Sequence, residues 1–343
     1  RREVRRAAAG DVGPSPSQFA AVAQGSAAMA LPHGANLTRA PLLPAFTALR
    51  NKVSFSANDT LLNESMALLG IEALGGGREL GCVLRRLQNR EPISIAALGG
   101  SISAGSSYTV RHKDFEFLYH FKVAQALRAA FPRPGGADAQ HAWYNGALPA
   151  TGPGFFEHCL EGQLPARAAH LVLLEFAANT DKEPAAFERM LRKLLALRPR
   201  PAVVIVNTHI WLARGSNIPC WKRPAKPRKN AKAKGDGRPP ITLLEPAQKR
   251  RQQWRDAFNA GDEDRIVAIA AHYGLPVVSL RAGLLDAVRT SSPTDEPFLQ
   301  VPYFMHDCKH PTGEGHTYLA QYVLARLLRE PSAAAGSGLV CDA

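Results

Sequence analysis

Two short stretches of this sequence carry side chains able to make and break covalent bonds. The first is Gly99-Gly100-Ser101-Ile102-Ser103-Ala104-Gly105, in which two glycines let the backbone bend sharply and expose the Ser101 hydroxyl. A serine hydroxyl is a weak nucleophile unless a base, usually histidine, takes its proton while an acid holds that base in the right tautomer. The second stretch, His306-Asp307-Cys308-Lys309-His310-Pro311-Thr312-Gly313, supplies both partners. Asp307 stands three positions before His310 and can turn back to accept from its imidazole, with Pro311 and Gly313 shaping the turn. Together the three residues could carry out nucleophilic acyl transfer with Ser101, Asp307 and His310 as the catalytic set, an arrangement that needs no metal and no cofactor.

Groups this far apart in sequence need a scaffold that brings them to one rim. The apolar run at residues 92–98 reads as a buried strand ending at the Ser101 turn. Strand-like runs recur at residues 142–145, 170–176, 202–207 and 276–280. Leu80, Val83, Leu84 and Leu87 recur at helical spacing ahead of the first strand, and helical patterns follow at about residues 115–131, 184–197, 245–273 and 313–328. Strands alternating with helices predict an α/β fold, a doubly wound, flavodoxin-like, three-layer parallel sheet of about five strands. In such sheets ligands bind beyond the carboxyl ends of the strands, and Ser101, Asn145 and Asn179 each lie at or just past such an end.

Read as a set, these stretches resemble the conserved blocks of the SGNH (GDSL-like) hydrolases. Residues 99–105 resemble the first block, and Asp307-Cys308-Lys309-His310 resembles the D-x-x-H fifth block. Leu173-Leu174-Glu175-Phe176-Ala177-Ala178-Asn179 resembles the third, where an asparagine side chain donates to the oxyanion. Asn145-Gly146-Ala147-Leu148-Pro149-Ala150-Thr151 resembles the second, where a glycine N–H donates. Aligned on Asn145, the family glycine falls on Ala150, whose N–H serves equally where its φ is allowed. Two further departures are Gly100, where family members often carry Asp, and Asn179-Thr180, with Asp181 one position late. The resemblance covers residues 92–328. It implies a carboxylic ester hydrolase with an oxyanion hole formed by Ser101, Ala150 and Asn179, acting on a small acyl or acetylated carbohydrate ester. An O-acyltransferase would use the same triad with a sugar hydroxyl in place of water, and exclusion of water from the pocket decides between the two.

The other notable residues have plainer readings. No Walker phosphate loop or dinucleotide glycine spacing follows the 99–105 turn. His306 and His316 do not sit at a helical zinc spacing from His310, and are expected as capping or core residues. Glu175, inside an apolar strand, is expected to pair with a buried arginine. Trp143, Tyr144, Phe155 and Phe156 are candidates for either the substrate pocket or the core.

The chain has 343 residues, 45% of them hydrophobic and 21% charged, which suffices for one large domain. Residues 1–77 read as a partly ordered N-terminal extension, 78–330 as the catalytic domain, and 331–343 as a flexible tail. The net charge of +13 owes much to eleven Lys and Arg between Lys222 and Arg251. That segment is interleaved with Pro and Gly and nearly free of aromatics, so it reads as a solvated loop insertion at about 213–250. Without stacking aromatics no nucleic-acid partner is expected, and a polyanion-binding module is the alternative of a different class. Five cysteines allow one or two disulfides and leave at least one thiol over. No apolar run is long enough to span a membrane. Sequons at Asn36, Asn58 and Asn63 favour a secretory route, and oligomeric state is left open.

Overall fold

The computed structural model describes residues 62, 64–106, 115–134, 141–164, 169–180, 183–211, 262–290, 299–306, 309–329 and 341. The basic segment at 213–250 and the three sequons lie outside the described residues. Runs such as Leu171–Glu175 and Ala202–Asn207 are buried along their whole length, as expected of parallel strands covered on both faces.

Six strands form one sheet in the order β1-β6-β5-β4-β2-β3. They are β1 (Ile71–Ala73), β2 (Ser94–Gly99), β3 (Ala142–Asn145), β4 (Leu171–Glu175), β5 (Ala202–Asn207) and β6 (Val277–Ser279). All neighbours run parallel except β1, which pairs antiparallel with β6. The expectation of about five parallel strands is therefore corrected to six strands with one antiparallel edge. The added strand is three residues long, too short to display a period of two, and lies in the segment read as an extension.

Ten described α-helices accompany the sheet: α1 (Glu64–Leu69), α2 (Arg78–Gln88), α3 (Ser101–Ala104), α4 (Tyr119–Ala130), α5 (Pro153–Cys159), α6 (Pro184–Ala196), α7 (Asp262–His272), α8 (Leu280–Thr290), α9 (Val301–Phe304) and α10 (Gly313–Leu328). Alternate strand residues divide between two apolar layers. Ile95, Leu171, Leu173 and Val204 pack with α1, α2, α4, α8 and α10. Ala96, Leu98, Val172, Leu174 and Val203 pack with α5, α6 and α7 on the opposite face. The architecture is the expected doubly wound α/β/α sandwich.

Helix boundaries follow local chemistry. Helix α4 starts at Tyr119, four residues later than the apolar pattern suggests, because Leu118 is extended (ψ 134°) and its N–H closes a turn onto the Phe115 carbonyl at 3.0 Å. Helix α10 has the expected bounds. Its N-cap Thr312 accepts from the Gly315 N–H at 3.2 Å while donating to the Tyr303 carbonyl at 2.8 Å. The predicted helix at 245–273 is described from Asp262 onward, and the rest lies outside the described residues.

A disulfide joins Cys82 on α2 to Cys341, and Cys159 is a free, exposed thiol. Cys220 and Cys308 lie outside the described residues. None of the described helices is long and apolar enough to cross a membrane.

Because Thr312 serves both the first turn of α10 and the end of α9, Thr312→Ala is expected to lower stability by about 1–2 kcal/mol. Thr312→Ser, which keeps the hydroxyl, should lose well under half of that. Urea unfolding of the three proteins measures the difference.

Candidate active site

Strand β2 ends at Gly99, Gly100 turns the chain, and Ser101 opens the single turn of α3. Gly105 closes that turn in the left-handed region, at φ 81°, where a side chain would be strained. Ser101 is partly buried, and its Oγ lies 2.8 Å from His310 Nε2. Two residues 209 positions apart are thus within hydrogen-bond reach, the geometry a nucleophile and its general base require.

His310 is presented by a pinched loop. After α9 the chain forms an antiparallel bridge between Met305 and Pro311. The His306 N–H donates to the His310 carbonyl at 2.7 Å and the Thr312 N–H to the Phe304 carbonyl at 3.0 Å. These backbone hydrogen bonds fix the main chain at His310, whose imidazole reaches Ser101. Asp307, the expected acid, lies outside the described residues.

The expected oxyanion donors approach from the two strands that flank β2. Beyond β4, the Asn179 N–H closes a tight turn on the Phe176 carbonyl at 2.8 Å, and the residue is buried. Its side chain lies against the Ser101 turn so closely that a Cβ on Gly100 would fall 2.3 Å from Asn179 Oδ1. A side chain at position 100 would have to displace this asparagine. Beyond β3, the chain keeps alongside β2, with the Gly146 N–H on the Ala97 carbonyl (2.9 Å) and the Leu148 N–H on the Gly99 carbonyl (3.0 Å). Ala150 follows with φ 57°, in the region glycine enters freely and alanine enters at a cost of about 1–2 kcal/mol. The position aligned with the family glycine therefore has a glycine-like backbone.

The groups that hold this turn were not evident from the sequence. Ser103, fully buried, is their meeting point. Its carbonyl accepts from His120 Nε2 at 2.8 Å and from Asn145 Nδ2 at 3.0 Å. Trp143 Nε1 donates to His120 Nδ1 at 2.9 Å, which fixes the tautomer with the proton on Nε2. Burial pushes the His120 pKa down to about 4, so the ring is neutral over the physiological range. The Ser103 hydroxyl shares a 2.9 Å hydrogen bond with the Tyr119 hydroxyl and donates to Glu175 Oε2 at 3.2 Å. Asn145, expected at the rim, is engaged with Ser103 and with the Ala147 N–H.

Glu175 departs from expectation. Its described partners are the hydroxyls of Ser103 and, at 3.4 Å, Thr208, together with the Ser103 backbone; no arginine is among them. Burial pushes its pKa up to about 8, and these hydrogen bonds offset only part of that shift. The rule that a buried carboxylate needs a cation presumes an ionised group, and this one is neutral at pH 7. His316 is a core residue stacked on the Tyr119 ring, with its pKa pushed down to about 3 by burial and then by His120, Lys122 and His310. Trp143 packs against Phe115, Phe121 and His120, and Phe156 is core, while Phe155 is exposed.

A cavity of about 80 Å³ lies elsewhere, beside the disulfide and the start of β4, with Arg78, Arg86, His170 and Arg200 in its wall. Neither Ser101 nor His310 lines it. No group of three His, Cys, Asp or Glu side chains able to hold a metal occurs among the described residues.

No family model and no curated protein matches the chain. Solved structures do. A two-domain esterase active on acetylated mannans, co-crystallised with mannopentaose, matches with a TM-score of 0.52 at 20% identity, over 79% of this chain and 59% of the esterase. A second structure of a two-domain esterase active on acetylated mannans gives 0.55 at 19% identity, over 80% of this chain and 57% of the other. This chain thus spans less than two thirds of their length, and the fold is what they share. A catalytic mutant of an acetylxylan esterase from Geobacillus stearothermophilus aligns over 72% of this chain and 96% of its own, at 13% identity and a TM-score of 0.43.

The contact between Gly100 and Asn179 makes a direct test. Gly100→Ala should destabilise by about 1–3 kcal/mol through overpacking. In the Asn179→Ala background the same change should lose much less, giving a coupling energy of about 0.5–3 kcal/mol in a double-mutant cycle of urea unfolding.

Proposed function

We propose that this chain is a serine esterase of the SGNH hydrolase family, with Ser101, His310 and Asp307 as its triad. The observation that carries the reading is the 2.8 Å approach of Ser101 Oγ to His310 Nε2 at the carboxyl end of a doubly wound sheet.

In this mechanism His310 Nε2 takes the Ser101 proton as Oγ attacks the ester carbonyl, and Asp307 holds the imidazolium that results. The tetrahedral oxyanion is stabilised by the Ser101 N–H, the Ala150 N–H and the Asn179 side chain. Collapse expels the alcohol, which His310 protonates. Water then gives a proton to His310 and attacks the acyl-enzyme, and the acid leaves with Ser101 restored. The left-handed backbone at Ala150 and the close seat of Asn179 against Gly100 both support these assignments.

The substrate class proposed is an acetylated carbohydrate, on the strength of the fold shared with the esterase active on acetylated mannans. The Cys82–Cys341 disulfide and the three sequons support an oxidising, secretory setting.

The wild-type chain should hydrolyse p-nitrophenyl acetate, release acetate from acetylated mannan oligosaccharides, and react with a serine-directed fluorophosphonate. Ser101→Ala should lose both turnover and labelling. Asn179→Ala should lose about 10²- to 10³-fold in kcat with little change in KM. Full activity in Ser101→Ala would overturn the reading, whereas acetyl transfer to a sugar hydroxyl in place of acetate release would assign the second step to an acyltransferase.

A further inference from the structure

The last residue of β4 stands directly beside the last residue of β2, since Glu175 pairs in register with Gly99. From there the fully buried Glu175 carboxyl reaches Ser103 on the far side of the nucleophile turn and Thr208 just past β5. It therefore joins three adjacent strand ends at the level of Ser101. Few charges face it. Tyr119 looks toward it from α4, Lys309 acts on it weakly from the His310 loop, and the remaining contacts are hydroxyls and main chain.

We propose that Glu175 is a positioning residue of this enzyme, a carboxyl kept in its protonated form that fixes the Ser101 turn through Ser103 and ties it to β5 through Thr208. The inference rests on the serine esterase reading given above. A protonated carboxyl has one donor and retains acceptor capacity, and its two hydroxyl partners can each donate or accept. The chain Tyr119, Ser103, Glu175 and Thr208 therefore closes its hydrogen bonds without a buried charge. Ionisation would leave a desolvated negative charge next to the turn, close to where the oxyanion must form, and would work against the transition state.

The carboxyl pKa of about 8 places this ionisation just above neutrality. Its sign can be followed through stability. A carboxyl whose folded pKa is raised contributes fully below its ordinary value, about 4.5, and its contribution is lost as pH rises through the folded value near 8. A glutamine in its place cannot ionise, so Glu175→Gln should gain in Tm relative to wild type over that window.

The test uses the full chain as wild type, Glu175→Gln, Glu175→Leu and Ser101→Ala. Between about pH 6 and pH 10, wild-type kcat on p-nitrophenyl acetate and its rate of fluorophosphonate labelling should fall with an apparent pKa near 8, at constant KM. Glu175→Gln should lack that alkaline limb and restore most of the activity that Glu175→Leu loses, a loss expected to be about tenfold or more. Independently of catalysis, infrared difference spectra at pH 7 should show a protonated-carboxyl band in wild type and Ser101→Ala that is missing in Glu175→Gln.

The same alkaline limb in wild type and Glu175→Gln, or no protonated-carboxyl band at pH 7, overturns the proposal. Activity surviving in Ser101→Ala overturns the esterase reading instead, and the infrared band still reports on Glu175.

Discussion

A turn set at the end of a buried strand has to be held by groups that water does not reach, so each of those groups must satisfy the others. Ser103 is where that requirement is met. Two donors on its carbonyl and two partners on its hydroxyl bind the Ser101 turn to α4, β3 and β4 at once. Because each partner is itself anchored, His120 by Trp143 and Glu175 by Thr208, the position of Ser101 is set by the sheet and α4 together. Buried polar networks of this kind are stable only when every member is paired, and here the neutral states of His120 and Glu175 allow that.

The parallel register turns this local device into a site. Strands β2, β3 and β4 end side by side, so the loops that follow them emerge close together. The Asn179 side chain fills the space a Cβ at position 100 would need, and Ala150 takes up a left-handed turn after the segment beyond β3 that runs alongside β2. His310 arrives from a fourth direction on a loop whose base is closed by the Met305–Pro311 bridge and by Thr312. Large parts of the fold serve to hold a few atoms within hydrogen-bond distance of one oxygen.

What could be read from the sequence was whatever is local. The glycines before Ser101, the Asp-x-x-His spacing and the apolar runs of β2, β4 and β5 all announce themselves within a few residues. Strand β1 did not, because three residues cannot display a period, and the start of α4 was displaced by a turn at 115–118 that apolar spacing does not encode. The partners of Glu175 were misjudged for a deeper reason. Which groups surround a buried carboxyl depends on strand register, and its protonation depends in turn on those groups, so a pairing rule written for charges pointed to an arginine. Ser103 escaped notice because a second serine in a serine-rich turn carries no signal until its four partners are brought to it from distant segments. Gly100, a departure from the sequence blocks this chain resembles, becomes intelligible once Asn179 is seen beside it.

The Cys82–Cys341 bond makes the chain between those residues a covalent ring enclosing every strand but β1. Ser101 and His310 lie on opposite sides of the lysine- and arginine-rich stretch from Lys222 to Arg251, which offers trypsin-like proteases many points of attack. A single nick there would open the ring without releasing either piece. The fragment bearing Ser101 and the fragment bearing His310 would remain one molecule, interleaved through β5 and β6 and tethered at the disulfide, so a clipped form keeps the Ser101–His310 pair assembled.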